Sequence, residues 1–368
     1  MKRVCIYCQT WESGGIEAFL LNTLSHMDLS GLEVDIVVEA LQKSIFTDKL
    51  KALGITFQEL SGSQKRLSKN YHLFSKLIDM RRYDVLHLNI FQAVPMVYLL
   101  LAKRKGIPIR IAHSHNTMLH QSRTRALKIG IHKMAGHLFW GKATDLWACS
   151  DAAARFMFPS KSLERKGYRF IPNGIDLRRF AFNVAERERV RRQLKLEGTF
   201  VIGNVGRLCH QKNQTFLIDI FSRIYAENSS ARLLLVGEGD ALAALKEKAE
   251  KLLLSNAVIF FGTTSHVETL LWAMDVFVFP SIFEGLGIAA IEAQAASLPT
   301  ICSDRVPQEA MATSLARRLP LSDPISRWND AIVNARERKF DMEASKQLEE
   351  RGFDVNAVSA MIGSTYCR

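Results

Sequence analysis

The 368-residue chain has no apolar run long enough to cross a bilayer. Its longest, around Val94–Ala102, is under half of the ~20 residues that a spanning helix needs. The opening MKRVCIYCQT is broken by polar residues, so it reads as a first strand and not as an export signal. Cysteine is sparse. Cys5, Cys8, Cys149, Cys209, Cys302 and Cys367 are scattered, mostly in apolar strand-like runs. That argues against a disulfide scaffold and fits reduced thiols in the cytoplasm. Cys5 and Cys8 have the spacing of half a metal site, but no second pair accompanies them. Three residues apart on a strand, the two thiols face opposite sides, as buried structural cysteines do. There is no short-period repeat, no low-complexity segment, no G-x-G-x-x-G fingerprint and no obvious pyridoxal-binding lysine motif.

Composition is that of a globular protein: 48% hydrophobic, 23% charged. The length favours two domains. The formal net charge is +12, unevenly placed. Residues 1–170 hold 25 Lys and Arg against 13 Asp and Glu, while residues 171–368 hold 24 of each. A basic half-molecule implies an anionic partner on that side, or a charge kept for solubility. Nucleic acid is the partner the charge alone would favour, but a stacking platform and recognisable nucleic-acid motifs are missing, so none is expected.

Short β-branched runs alternate with helical stretches. Strands are expected at Arg3–Tyr7, Val34–Val38, Val85–Asn89, Arg110–His113, Leu146–Cys149, Phe200–Val205, Arg232–Val236, Val258–Phe261, Val276–Phe279 and Thr300–Cys302. Gln214–Tyr225 and Ala241–Leu254 suit crossover helices. The alternation predicts α/β architecture with parallel sheets covered on both faces. The series runs twice, separated by IPNGID (Ile171–Asp176), where Pro and Asn-Gly break regular structure. The expected domains are residues 1–172 and 173–352. A last helix, Phe353–Tyr366 within 353–368, has an apolar side suited to packing back on the first domain. Two doubly wound domains would face each other across a cleft.

Several stretches carry chemistry. In SIFEGLGIAAIEAQAASLP (residues 281–299), Glu284 and Glu292 stand with seven residues between them, and Gly285-Leu286-Gly287 opens a helix near Ile288. Amides at a helix start suit phosphate, and glycine permits close approach. A carboxylate beside phosphate would repel it, so Glu284 is expected to face hydroxyls of a sugar, and Glu292 a second hydroxyl pair. An ordinary strand–turn–helix with solvated glutamates is the other reading of this stretch. In NVGRLCHQKN (residues 204–213), Arg207 and Lys212 follow a strand and could neutralise a diphosphate without a metal, or be plain surface cations. Gly14-Gly15-Ile16-Glu17 follows the first strand; its glycines allow an anion close, and Glu17 is expected to support the helix start. In HSHN (residues 113–116), His113 and His115 share a side of their strand. No third ligand can be placed for a metal, so His113 reads as buried and structural, and His115 as a partner for substrate hydroxyls.

Together GGIE, HSHN, IPNGID, GRLCHQKN, LLLVGEGD and PSIFEGLGIAAIEAQAASLPT resemble the retaining glycosyltransferases of family 4, and within them the bacterial branch that builds capsular and exopolysaccharides. The resemblance covers nearly the whole chain. It implies a GT-B fold of two Rossmann-like domains, with acceptor bound by the first and nucleotide sugar by the second. It implies no metal and no cofactor. Glu284 would contact the transferred sugar and Glu292 the ribose. Arg207 and Lys212 would hold the diphosphate, with Gly14 and Gly15 approaching it from the facing domain. His115 would lie near the sugar, and the backbone around Thr264 near the base. A UDP-sugar is the implied donor. Another enzyme of the same architecture, a sugar-nucleotide 2-epimerase or a phosphorylase, is disfavoured by the paired glutamates. A non-catalytic partner subunit would not need the charged site residues.

The acceptor half has its own signal. In residues 120–147, Arg123, Arg125, Lys128, Lys133 and Lys142 are interleaved with Leu127, Ile129, Ile131, Leu138, Phe139 and Trp140. That mixture suits an anionic membrane surface, where a lipid-linked saccharide acceptor would sit, or a core helix with a solvated basic face. The expected location is the cytoplasm, either free or peripheral on the inner face of the cell membrane.

Overall fold

A computed structural model describes residues 1–12, 14–119, 124–335 and 342–368. The chain divides into two compact units. Unit 1 is Met1–Ile175 with Gly352–Arg368, and unit 2 is Asp176–Arg351. Expectation put the two crossings after residues 172 and 352; they fall after Ile175 and Arg351.

Unit 1 is built on seven strands: β1 Lys2–Trp11, β2 Leu32–Leu41, β3 Thr56–Glu59, β4 Val85–Ile90, β5 Ile109–Ser114, β6 Asp145–Ala148 and β7 Arg169–Phe170. Their order is β3-β2-β1-β4-β5-β6-β7, all parallel. Helices cover both faces, so central strands need apolar residues on both sides. All six residues of β4, VLHLNI, are buried. Cys5 and Cys8 of β1 are buried too, and no disulfide joins any of the described cysteines.

Unit 2 repeats the plan with β8 Val201–Val205, β9 Arg232–Val236, β10 Val258–Gly262, β11 Val276–Phe279, β12 Thr300–Ser303 and β13 Ala316–Leu319. The order is β10-β9-β8-β11-β12-β13, again all parallel. In each unit the order reverses beside the first strand, between β1 and β4 and between β8 and β11. Such a switch point leaves an opening at the carboxyl ends of the strands. β3, β7 and β13 were not among the expected strands. They lie at or near sheet edges and are short, and β13 turns two arginines outward as edges often do.

The helix Val355–Tyr366 packs on unit 1. Asp354 caps it, accepting from the amides of Asn356 (2.9 Å) and Ala357 (3.1 Å). Val358, Ile362 and Tyr366 join the apolar core formed by β1, β2 and the helix Gly15–Ser25. Gly174 of the IPNGID break is required here: a Cβ on it would lie 2.9 Å from the Val355 Cα. At the far end, the Tyr366 hydroxyl is 2.6 Å from His87 Nδ1 on β4.

Replacing Tyr366 with Phe strands that buried ring nitrogen. Unit 1 should lose about 1–2 kcal/mol, and melt roughly 2–8 °C lower by differential scanning calorimetry. An unchanged melting temperature would show that the hydroxyl contributes nothing to seating the last helix.

Candidate active site

Two loops of unit 2 leave the sheet on either side of its switch point. One follows β8 (residues 206–213) and the other follows β11 (residues 280–287). Four consecutive residues, Gln211 to Gln214, join them. Ile282 donates its amide to Gln211 O (2.8 Å), and Gln211 Nε2 donates to Phe283 O (3.0 Å). Asn213, in the left-handed region at φ 56°, donates from Nδ2 to Pro280 O (3.1 Å). Gln214 donates to Arg207 O and to Asn204 Oδ1, and Asn204 in turn donates to Val278 O (2.8 Å) on β11.

Lys212 crosses the gap between them. Its Nζ is 2.7 Å from Glu284 Oε1 and 4.6 Å from the centre of the Phe279 ring. Glu284 is only 5% exposed. The sequence reading had Glu284 facing neutral hydroxyls; here a cation occupies one of its oxygens. The pairing follows from burial, because an unpaired carboxylate in such a place would cost several kcal/mol. Lys212 reaches Glu284 by running its stem over Gly206, where a Cβ would lie 3.3 Å from Lys212 Cε. Arg207, next along, is exposed at the rim.

The loop after β9 supports this arrangement. Gly206 donates to Val236 O and Leu208 to Glu238 O, both at 2.9 Å. A Cβ at Gly237 or Gly239 would lie 2.1 Å from the carbonyl oxygens of Gly206 and Leu208. The glycines of LLLVGEGD are therefore demanded by the neighbouring loop. Gly287 is similar: its φ is +92°, and a Cβ would press on Phe279 and Val306. The fold itself thus requires glycine at 287. Gly285 is half-buried and Leu286 buried between Glu284 and the helix Ile288–Ala295.

Glu292 lies on that helix, half-buried. Burial pushes its carboxyl up to about 7, with Arg179 lowering it and Glu268 raising it. Arg179 binds Glu268 through both Nε (3.1 Å) and Nη2 (2.7 Å). Asp176 at the end of IPNGID positions that arginine by capping the short helix Leu177–Phe180. His266 Nδ1 approaches the other Glu268 oxygen at 3.2 Å, and Thr264 Oγ1 accepts from the His266 amide. Arg179 and Glu268 were not anticipated. They are 89 residues apart, and neither carries a local motif.

Unit 1 carries its own candidate residues at the ends of its strands. Gly14 precedes the helix Gly15–Ser25. Glu17 accepts from the amides of Glu12 (2.9 Å) and Gly14 (3.2 Å), so it supports the helix start. A Cβ on Gly15 would meet nothing within 4 Å, and its φ is not positive, so packing does not require glycine there. His115 follows β5. Its Nε2 is 2.9 Å from Asn89 Oδ1, its ring centroid 4.0 Å from that of His113, and Phe19 flanks both rings. His113 Nδ1 is 3.1 Å from His87 Nε2. His115 Nδ1 is buried without a hydrogen-bond partner. With Asn89 accepting from Nε2, that nitrogen carries a free lone pair.

Arg207, Lys212, Glu284, Gly285, Leu286, Gly287, Glu292 and Thr264 all lie in unit 2; Gly14, Gly15 and His115 lie in unit 1. Among the described residues no three His, Cys, Asp or Glu side chains are grouped to hold a metal. Of the basic-aromatic stretch, His120 and Arg123 lie outside the described residues.

Two Rossmann-like units of this topology, with charged residues at the switch point, define the GT-B class. Residues 13–179 match the family model "Glycosyltransferase Family 4", and residues 186–316 match "Glycosyl transferases group 1". Over 363 residues the chain is 30% identical to the putative glycosyltransferase EpsF of Bacillus subtilis, covering 96% of this chain and 93% of that one. A 234-residue stretch is 26% identical to the Escherichia coli UDP-Gal:alpha-D-GlcNAc-diphosphoundecaprenol alpha-1,3-galactosyltransferase, covering 62% of this chain and 60% of that protein. Anabaena HepE, solved with UDP-glucose, superposes over the whole of both chains with a TM-score of 0.79 at 19% identity. The chain belongs to glycosyltransferase family 4 and is a sugar-transferring enzyme.

The histidine cluster sets an acid limit. Burial holds His87 and His115 down to about 3 and His113 well below its ordinary value. All three are neutral in the fold, while unfolded histidine takes up a proton near 6.5. Their contribution is complete above about pH 6.5 and is lost as pH falls towards 3. Glu17 and Glu39, pushed up by burial, oppose this, but three histidines against two carboxyls set the direction. The urea midpoint of unit 1 should fall between pH 7 and 5; a constant midpoint would contradict the buried neutral cluster.

Proposed function

We propose that the enzyme takes a hexosyl group from a UDP-sugar and gives it, with retention of configuration, to a lipid-linked saccharide in capsular or exopolysaccharide synthesis. The observation that carries this reading is the Lys212–Glu284 pair beside Arg207 at the switch point of unit 2. Lys212 has three N–H donors and gives one to Glu284, which leaves two for phosphate oxygens. Arg207 adds a planar fork at the rim. Glu284 and Glu292 are carboxylates suited to accept from sugar and ribose hydroxyls. Relatives support the choice of substrates: HepE was solved with UDP-glucose, and the E. coli relative is named for UDP-Gal and a diphosphoundecaprenol-linked acceptor.

In the proposed step, the bond from the anomeric carbon to the diphosphate oxygen breaks with oxocarbenium character. Both bonding electrons leave on that oxygen, where Lys212 and Arg207 stabilise the charge. An acceptor hydroxyl attacks from the same face, and its proton passes to the departing phosphate. His115 Nδ1 would accept from a hydroxyl of the sugar. Neither a metal nor a cofactor is used in this reading, so activity should survive EDTA.

A thermal-shift screen of nucleotide sugars, followed by turnover of the stabilising donor and NMR of the anomeric product, tests the proposal. No stabilisation by any nucleotide sugar, or an inverted product, would overturn it. Glu284→Gln should lower turnover by about 10²–10³-fold with little change in UDP affinity. Lys212→Met should instead weaken UDP binding by roughly tenfold or more, the loss of one charge-assisted contact. Because each variant strips a buried partner, unit 2 should also melt lower, and the double variant should recover part of that loss. If both single variants keep wild-type kinetics, the pair has no part in the reaction.

Glu292 gives a pH signature. With its carboxyl near 7, ionisation turns it into a charged acceptor at both oxygens, the stronger partner for ribose hydroxyls. UDP-sugar affinity should therefore rise with pH through about 7 and level off above it, and Glu292→Gln should flatten the profile. Calorimetric titration across pH 6–8.5 measures this, a range of about one to one and a half units around that value; equal slopes for both proteins would remove Glu292 from the ribose.

A further inference from the structure

The helix Arg125–Phe139 is inside out. The residues it buries are His132, Ala135 and Gly136. His132 is held at both nitrogens: Nδ1 accepts from the Ala93 amide (3.0 Å), and Nε2 donates to Phe156 O (2.9 Å). Gly136 lets the backbone come close, since a Cβ there would be 3.3 Å from Met157 O. Four of its large apolar residues point the other way: Leu127 is 66% exposed, Ile131 39%, Met134 57% and Leu138 59%, while Ile129 and Phe139 are half-buried. At 3.6 residues per turn these four fall within an arc of roughly 60°. An ordinary surface helix buries such a stripe. Lys128 and Lys133 flank the stripe, and both are exposed.

The surrounding charge narrows what can cover this face. Between Asp84 and Asp145 the sequence has nine Lys and Arg and no Asp or Glu. A second copy would bring the same positive field against itself. Four side chains in one stripe also fall well short of the ~1,200 Å² of a stable protein interface. A bilayer with anionic headgroups meets both needs, because its acyl region takes the leucines and its surface charge takes the lysines.

We propose that this helix lies in the interface of an anionic membrane, with Leu127, Ile131, Met134 and Leu138 dipping below the headgroups. The inference stands apart from the donor chemistry, and it supplies a reason for the enzyme to meet a lipid-linked acceptor. The test is flotation of the purified full chain with phosphatidylcholine vesicles, with and without phosphatidylglycerol, at low and high salt. Wild type should float with the anionic vesicles at low salt, and less as salt rises. The double variant Leu127→Glu, Leu138→Glu should partition roughly tenfold less. Lys128→Glu, Lys133→Glu should lose the preference for phosphatidylglycerol. All four substituted positions are exposed, so UDP affinity measured in parallel should be unchanged; its loss would bear on the donor site and not on this face. Flotation equal in wild type and the leucine variant overturns the proposal. So does its absence with anionic lipid, or a dimer seen by sedimentation that the leucine variant abolishes.

Discussion

Two loops flank the reversal of strand order in unit 2, and the site depends on their being fastened together. Backbone and side-chain bonds from Gln211 and Asn213 hold one loop to the other, and the Lys212–Glu284 pair closes the join at 2.7 Å. A charge pair this buried contributes modestly to stability, since desolvation offsets much of the attraction. Its value lies in placement. The pair fixes a cation and a carboxylate within one hydrogen bond of each other at the mouth of a parallel sheet. Without ligand, each neutralises the other.

Unit 1 answers a different demand with the same architecture. Its central strand β4 is buried on both faces, yet carries His87 and Asn89. Each polar side chain there needs a partner, and the partners come from distant segments: Tyr366 for His87, His113 for the other nitrogen, and His115 for Asn89. The result is an ordered row of aromatic rings leading to an imidazole whose Nδ1 is buried without a hydrogen-bond partner. Fixing the tautomer of His115 through Asn89 needs no charge, which is how a buried histidine can present a lone pair at neutral pH.

Much of the fold was legible because parallel strands buried on both faces must be apolar along their length. The ten expected strands coincide with ten of the observed ones to within a few residues at each end, except that β1 and β2 run on further. The misses, β3, β7 and β13, are short strands near sheet edges whose pairing depends on neighbours and not on their own composition. At the site, spacing pointed to Glu284, Glu292, Arg207 and Lys212. It could not show that Lys212 and Glu284 bind each other, because 72 residues separate them. The same holds for Arg179 and Glu268. A glycine before a helix suits ligand approach, and at Gly287 the positive φ and two packed neighbours show a demand from the fold as well, which spacing alone could not reveal. The basic-aromatic stretch showed its composition but not its inversion, since only packing reveals that Ala135 and Gly136 face inward while the leucines face out.

The helix Val355–Tyr366 fills a slot in unit 1 lined by residues near the start of the chain. A ribosome makes that helix only after every residue of the other unit has been joined to the chain. Unit 2 is continuous in sequence and can therefore fold first during translation, while the earlier lobe waits with an open greasy trench. Such a nascent intermediate is a natural client for chaperones, and slow elongation through the middle of the message would lengthen its vulnerable period.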